Sequence, residues 1–192
     1  MSRLLVFPDD DPQTVLVDTS AVDEISDHLS SIGVLFERWE ADRELARDAD
    51  QDSVLAAYEA SVSRIMAQGY PTVDVVRLTG DSSDEDFLAR AAEARGKFLS
   101  EHIHDDDEVR FFVEGSGAFY LRVDGRVHAV ICEAGDFIFV PKSTRHWFDM
   151  GNCPNFTAIR FFAIPEGWVG RFTGDPIAAS FASFDRLVGA EH

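Results

Sequence analysis

The first half of the chain alternates helical and strand-like hydrophobic patterns. Between residues 22 and 32 the apolar positions recur at the spacing of one helix face, and either Asp18 or Thr19 can cap such a helix. The same spacing predicts a second helix from about Ser53 to Gln68, which Gly69 would end. We therefore expect helices in the N-terminal segment.

Short apolar runs and a capping signal complete this half. Residues 4–7, 34–36 and 73–78 are apolar runs that end near proline, glycine or charged residues, which is typical of strands. The run Ser83–Asp86 resembles a capping box and predicts a helix that continues to Arg95. The first half is therefore mixed in secondary structure.

From Phe98 to about Phe162 the pattern changes to short strands. Turn compositions separate them at Glu114–Gly117, at the hairpin signal Asp124–Gly125 and at Gly135–Asp136. The predicted strands are 109–113, 119–123, 127–132, 137–140 and 158–162. Many short strands with turns between them favour a barrel or jelly roll. The predicted fold class is mainly β with N-terminal helices.

Length, charge and cysteine content exclude several classes of protein. The 192 residues suit one well-buried domain, and the net charge of -18 opposes binding to nucleic acid or to an anionic membrane. No stretch approaches the roughly 20 apolar residues of a membrane span, and the N-terminus lacks the apolar core of a signal peptide. Two distant cysteines do not make a disulfide framework. We expect a cytoplasmic monomer that acts on a small molecule.

Four residues of the β-rich half have the types and spacing of a metal site. His102 and His104 are two positions apart, so on a strand both imidazoles point to the same face. A straight strand would carry Glu108 too far away, so the chain must turn within Asp105–Asp107. His146 lies just beyond a proline-bearing turn and completes the set if the two hairpins lie against each other.

Three imidazoles and one carboxylate suit Fe(II), Ni(II), Mn(II), Co(II) or Zn(II), and the lack of thiolate argues against a closed structural zinc site. Taken alone, each residue would more often be an ordinary surface or half-buried side chain, and the acidic run a solvated turn. Together they predict a bound metal, because converging buried polar groups are costly without a ligand. In an octahedral metal, four protein ligands leave two positions open for a chelating substrate.

The same spacing is similar to the first motif of the cupin superfamily. That motif is Gly, five residues, His-X-His, three or four residues, Glu, six residues and Gly. The corresponding positions here are Gly96, His102, His104, Glu108 and Gly115. The resemblance implies a double-stranded β-helix, which is a jelly-roll barrel.

The second cupin motif is also present with two departures. Gly135 and Pro141 are separated by five residues, and His146 follows in turn. Ser143 replaces the usual Gly and Met150 the usual Asn, which leaves the ligands in place. We therefore expect a single cupin domain over 1–192. Its parts would be a mixed segment (1–95) packed on the barrel, the barrel core (96–165) and a C-terminal tail (166–192).

Within the cupins, the chain resembles the acireductone dioxygenases of the methionine salvage pathway. The runs Lys97–His104, Asp107–Arg110 and Arg145–Asp149 are similar to the centre of that family. The resemblance implies one Fe(2+) or Ni(2+) per chain. The ligands would be His102, His104, Glu108 and His146.

The resemblance also places family active-site positions on Arg110 and Arg160. Arg110 follows Glu108 by two residues, so on a strand its guanidinium would face the same side, favour a deprotonated substrate and hold its oxygens. The alternative is a salt bridge within the acidic turn. Arg160 lies between apolar residues, so an inward guanidinium needs an anionic partner. The alternative for Arg160 is an outward position on an amphipathic strand.

Further residues are assigned by the same resemblance. Phe98, Phe148 and Trp168 would line the substrate pocket, although aromatic residues at such positions are equally suited to a barrel core. Glu101 points away from the ligands and either supports them from behind or is solvated. His128 has no partner at ligand spacing and is expected to be structural or exposed.

The implied activity is cleavage of acireductone, 1,2-dihydroxy-3-keto-5-(methylthio)pentene, with O2. An iron form would give 4-methylthio-2-oxobutanoate and formate, and a nickel form methylthiopropanoate, formate and carbon monoxide. One alternative is another metal-dependent cupin dioxygenase, acting on a thiol or a flavonol. A second is a non-catalytic metal cupin that binds a small ligand. The charge and the lack of a helix-turn-helix pattern weaken a DNA-linked sensor of that kind.

Overall fold

The computed structural model describes residues 1–164 and 169–189. Two antiparallel sheets enclose an apolar interior, which is the predicted jelly-roll barrel. The strands are β1 (Arg3–Pro8), β2 (Val17–Thr19), β3 (Leu35–Arg38), β4 (Thr72–Leu78), β5 (His102–Ile103), β6 (Glu108–Val123), β7 (Arg126–Glu133), β8 (Asp136–Val140), β9 (Arg145–Asp149), β10 (Phe156–Phe162) and β11 (Arg171–Phe172). The sequence pattern had not predicted β2, β9 or β11.

Strand β6 belongs to both sheets and joins them. Sheet A has the order β11-β5-β9-β6-β7-β1-β2. Sheet B has the order β4-β10-β6-β8-β3. The N-terminal strands β1, β3 and β4 are thus members of the barrel sheets, so residues 1–95 build part of the barrel wall in addition to packing on it.

The predicted turn at Glu114–Gly117 is wrong, because β6 runs through it without a break. Here the strand passes from sheet B to sheet A, and two glycines allow the passage. Gly115 has φ of +64°, and a Cβ there would lie 1.7 Å from the carbonyl oxygen of Asn155. A Cβ on Gly117 would lie 2.5 Å from Cζ of Phe148. These glycines allow close approach within a continuous strand, which composition alone does not distinguish from a turn.

The helices are α1 (Val22–Ser30), α2 (Gln51–Ala57), α3 (Glu59–Met66), α4 (Glu85–Gly96) and α5 (Phe184–Gly189), with a 3₁₀-helix at Pro176–Ser180. The prediction of one helix from 53 to 68 is wrong, since Tyr58 leaves the helical conformation with φ of -116° and ψ of 27°. The ring of Tyr58 packs edge-on against Phe111 of sheet B, with 5.5 Å between the centroids. Tertiary packing therefore accompanies the break.

The predicted helix caps are also displaced. Asp18 and Thr19 lie in β2, and Ala21 holds the N-cap position of α1. The Thr19 hydroxyl accepts a hydrogen bond from the N–H of Ala21 at 3.1 Å, so it stabilises the approach to the helix. The cap of α4 is Asp84, whose carboxylate accepts from the N–H of Phe87 at 3.0 Å.

Three apolar layers hold the domain together. The barrel interior is one continuous cluster that includes Phe112, Phe119 and Phe148. Helices α2 and α3 pack on the outer face of sheet B, and the C-terminal segment 177–187 packs on the outer face of sheet A. No helix in the described part of the chain is long and apolar enough to cross a membrane.

Candidate metal centre

Two strands of sheet A bring two histidines side by side. His102 on β5 pairs directly with His146 on β9, and their ring centroids are 4.5 Å apart. The ring of His104 lies 4.9 Å from that of His102 and 5.0 Å from that of His146. Each of the three buried side chains offers a ring nitrogen, and these atoms lie within 4.8 Å of one another. The structure thus forms one cluster from the two histidine motifs.

Glu108 joins this cluster from the first residue of β6. Its Oε2 lies 2.9 Å from Nε2 of His146 and 3.1 Å from Nε2 of His104. The carboxylate is almost fully buried, with 2% of the residue exposed. All four predicted ligand positions are therefore together inside the barrel.

The acidic turn before β6 is held by its own carboxylates. Asp106 is buried and accepts two backbone N–H groups of the segment after β10, at 2.9 and 3.2 Å. Asp107 accepts from the Tyr70 hydroxyl at 2.9 Å and from the N–H of Lys142 at 2.8 Å. The alternative of a solvated turn is therefore wrong for Asp106 and Asp107. Asp107 also ties this turn to the loop that leads to β9.

The loop before β9 is shaped to present His146. Ser143 has φ of +65°, a left-handed conformation in which glycine is favoured, and this explains the usual glycine of the second motif. The N–H of Ser143 donates to the carbonyl oxygen of His104 at 2.9 Å. One backbone hydrogen bond thus joins the two motifs directly.

Backbone carbonyls orient two of the imidazoles. Nδ1 of His102 lies 2.7 Å from the carbonyl oxygen of Ser100, and Nδ1 of His146 lies 2.8 Å from that of Thr144. Because a carbonyl only accepts, each Nδ1 carries a proton, and in the neutral imidazole each Nε2 then has a free lone pair. The lone pair of His146 Nε2 and the Glu108 oxygen face each other in a buried site, where a cation between them would stabilise both. The donor set fits a divalent transition metal.

The electrostatics favour the same protonation states. Burial would raise the pKa of Glu108, but Arg110, His104 and His146 hold it well below its ordinary value. Burial, together with the neighbouring His146, lowers the pKa of His102 to about 4. Near neutral pH the site therefore contains an ionised carboxylate and a neutral imidazole, which metal ligation requires.

Arg110 lies next to the cluster inside the barrel. Its Nη2 is 2.7 Å from Oε1 of Glu108, and 4% of its side chain is exposed. The guanidinium carbon lies 4.6 Å from the ring centroid of Phe148 and 5.0 Å from that of Phe119. Arg110 therefore does form a salt bridge with the last residue of the acidic run, and this ion pair is buried against aromatic rings.

Arg160 also faces the barrel interior. Its strand neighbours Ile159 and Phe161 pack on the helix side of sheet B, so Arg160 has the opposite orientation. The guanidinium donates to both oxygens of Asp74, at 2.7 and 2.6 Å. The alternative of an outward position is wrong, and Asp74 is the anionic partner that an inward arginine requires.

The remaining predicted residues have different positions. Phe148 is buried in the barrel, and its N–H donates to the carbonyl oxygen of the half-buried Phe98 at 3.0 Å. Trp168 lies outside the described residues. Glu101 is buried, accepts from the Thr173 hydroxyl at 2.6 Å, and lies 3.3 Å from Arg122, so the solvated alternative is wrong. Its contacts tie β5 to the segment after β11.

Sequence reasoning missed Asp74 and Tyr70. Asp74 alternates with Val73 and Val75, which pack on the helix side, so an acidic residue at an inward position of β4 was the available signal. Tyr70 lies outside β4 and gave no signal, because its contact with Asp107 joins residues 37 positions apart.

A two-sheet jelly roll with three imidazoles and a carboxylate in its interior defines a class, the metal-binding cupins. A model of the ARD/ARD' family matches residues 3–170. The "Acireductone dioxygenase" of Parvibaculum lavamentivorans is 59% identical over 186 residues, which cover 96% of this chain and 98% of that protein. The chain therefore belongs to the ARD/ARD' family of acireductone dioxygenases, oxidoreductases that incorporate O2.

Two further similar proteins support this family assignment. "Acireductone dioxygenase 1" of Nocardia farcinica is 51% identical over 190 residues, which cover 98% of this chain and 100% of that protein. The solved structure of the "Acireductone dioxygenase from Bacillus anthracis with cadmium ion in active center" superposes with a TM-score of 0.74 at 28% identity. The match covers 90% of this chain and 98% of that one.

Proposed function

We propose that this enzyme cleaves acireductone with O2 at a single Fe(2+) or Ni(2+) ion held by His102, His104, Glu108 and His146. The observation that carries the proposal is the buried convergence of these side chains. Three imidazole nitrogens lie within 4.8 Å of one another, and the Glu108 carboxylate is 2.9 Å from one of them. The family membership supports the substrate.

We expect Arg110 to stabilise the deprotonated, anionic form of the substrate. A metal held by His102, His104, Glu108 and His146 would supply a Lewis acid for neighbouring substrate oxygens. The Arg110 guanidinium beside Glu108 favours a deprotonated substrate and holds an anionic oxygen. Phe148 and Phe119 flank that guanidinium and exclude water, which strengthens each of these electrostatic contacts.

The identity of the ion is part of the proposal. We expect 4-methylthio-2-oxobutanoate and formate from the iron form, and methylthiopropanoate, formate and carbon monoxide from the nickel form. A difference of about 1.4 kcal/mol between competing barriers already shifts a product ratio tenfold. The Irving–Williams order favours nickel in free competition, since both ions accept the same donors.

The test is to remove the metal, reload the protein with each ion separately, and assay products from acireductone under oxygen. Carbon monoxide from the nickel form alone supports the proposal. Identical products from both forms contradict metal-controlled chemistry. If neither form consumes oxygen with acireductone, the substrate is wrong, and cysteine and quercetin are the next substrates to assay.

We also propose that the enzyme is a cytoplasmic monomer and that it needs no nucleic acid, membrane or protein partner. Its support is the net charge of -18 and two cysteines, Cys132 and Cys153, that form no disulfide. Light scattering during gel filtration measures the mass directly, and a mass near 43 kDa, twice the 21.4 kDa chain, would contradict the monomer.

A further inference from the structure

Sheet B carries a row of charged side chains across three neighbouring strands. Arg160 on β10 pairs with Asp74 on β4 to one side and with Arg110 on β6 to the other. Residues paired in this way point to the same face of a sheet. That face is the barrel interior, because Ala158 on β10 and Val76 on β4, each two residues along, belong to or pack on the interior cluster.

The charged side chains form two ion pairs, and their exposure increases from Glu108 to Asp74. Glu108 and Arg110 are buried at one end, with 3% and 4% of their side chains exposed. The side chain of Arg160 is 23% exposed and that of Asp74 is 36% exposed. The charges therefore extend from the metal centre across sheet B to its edge strand β4, as two ion pairs whose cations are neighbours.

The two cations influence each other. Burial lowers the pKa of Arg110, Glu108 opposes this shift, and the charge of Arg160 adds to it. Like charges on directly paired residues of a sheet are destabilising. The carboxylate of Asp74 binds Arg160 at both of its oxygens, and such a two-point contact fixes the plane and direction of a guanidinium.

The geometry points to Asp74 as a positioning residue of the active site. Its carboxylate holds Arg160 towards β4, so that Arg110 is the arginine that pairs with Glu108 and both guanidinium groups keep fixed places facing an anionic substrate. The substrate part of this inference rests on the proposed function. Without Asp74, Arg160 loses this two-point contact and can turn towards the Glu108 carboxylate, where it competes with the metal and with Arg110.

A double-mutant cycle tests whether Asp74 acts through Arg160. The variants are Asp74→Asn, Arg160→Gln and the two together, and the primary measurement is Ni(2+) affinity by titration calorimetry. We expect Asp74→Asn to weaken Ni(2+) binding about tenfold, the size of effect found for residues that orient metal ligands. Arg160→Gln should restore the affinity of Asp74→Asn to within about threefold of the Arg160→Gln single variant.

Two controls separate positioning from general damage. Asp74→Glu keeps the carboxylate and should bind Ni(2+) within about threefold of the unaltered protein. Glu114→Gln removes a carboxylate that pairs with Arg77 across the same sheet, about 20 Å along β6 from Glu108, and should leave the affinity unchanged. Thermal unfolding of each variant shows that it is folded.

The outcomes decide the inference. Unchanged affinity in Asp74→Asn, or an equal loss with and without Arg160, overturns it. With acireductone, Asp74→Asn should raise KM about tenfold while kcat changes less than threefold. In a protein that already carries Arg160→Gln, adding Asp74→Asn should leave KM unchanged. If the unaltered protein binds Ni(2+) but consumes no acireductone, the proposed function falls, while the affinity cycle still decides the role of Asp74.

Discussion

Two histidines on the inner face of sheet A pair with the same residue of β6 but have different side-chain surroundings. His146 and His128 flank Leu121, one paired with it from β9 and the other from β7. Both are buried, with 2% and 4% exposed. Nδ1 of His146 bonds to the carbonyl of Thr144, and its Nε2 meets Glu108. Neither ring nitrogen of His128 has a hydrogen-bond partner among the described residues.

The comparison shows that a buried imidazole is not by itself a site. Burial, with a contribution from Arg126, lowers the pKa of His128 to about 4, so it is neutral, and its partners on the two neighbouring strands are the apolar Val6 and Leu121. His146 differs because the loop that contains Ser143 and Thr144 places a carbonyl on one nitrogen, while β6 places a carboxylate on the other. Two oriented partners, a carbonyl from the loop before β9 and a carboxylate from β6, therefore distinguish His146 from His128.

The largest difference between the two histidines should appear in metal content. We expect His146→Ala, and separately Glu108→Ala, to lose at least about 100-fold in metal affinity together with oxygen consumption, because each removes a ligand and leaves the others uncompensated. His128→Leu is the matched control and should retain one ion per chain. Metal analysis of the purified variants measures this, and a metal-replete, active Glu108→Ala protein would refute that ligand.

Arg110→Ala should keep the metal and lose turnover. We propose that its guanidinium promotes deprotonation of the substrate, a contribution we expect to be about 100-fold or more. The measurement is kcat at several pH values beside the metal content. Recovery of the rate at higher pH supports this role, since bulk base then removes the proton. A normal rate at neutral pH would show that the contact with Glu108 is only structural.

His128 should make the fold sensitive to acid. In the unfolded chain its pKa is near 6.5, whereas in the folded protein it is about 4. Between these values the unfolded state binds a proton and the folded state does not, so the free energy of unfolding falls as the pH drops, by up to about 3 kcal/mol. Chemical denaturation at pH 7 and pH 4.5 should show a smaller drop for His128→Leu. Equal drops in both proteins would contradict this.

The smallest expected effect concerns the loop that carries His146. Ser143 has a φ of +65°, which costs a residue with a Cβ about 1 kcal/mol. Ser143→Gly should therefore raise the free energy of unfolding by about 0.5 kcal/mol, after the greater freedom of glycine in the unfolded chain is subtracted. Metal affinity should be unchanged, since the loop backbone already has this shape. A loss of affinity would show that the Ser143 side chain itself supports His146.

The sequence predicted that His102, His104 and Glu108 converge, because the information for this is local. Strand parity places His102 and His104 on one face, and the acidic run turns the chain to Glu108 within a few residues. The prediction was wrong where a distant element decides the conformation. Gly115 and Gly117 resemble a turn, yet neighbouring strands hold them in a continuous β6. Tyr58 continues a helical period, yet it leaves the helix while its ring packs on Phe111.

By itself, the sequence determined the β-rich class, the four residues of ligand type at cupin spacing, and the resemblance to acireductone dioxygenases. Only the tertiary structure decided which other groups meet them. The hydrogen bond of Asp107 with Tyr70 and the ion pair of Asp74 with Arg160 join residues 37 and 86 positions apart. Hydrophobic periodicity reports which face of an element is buried. It carries no information on which strand lies opposite, because that depends on the register of the completed sheets.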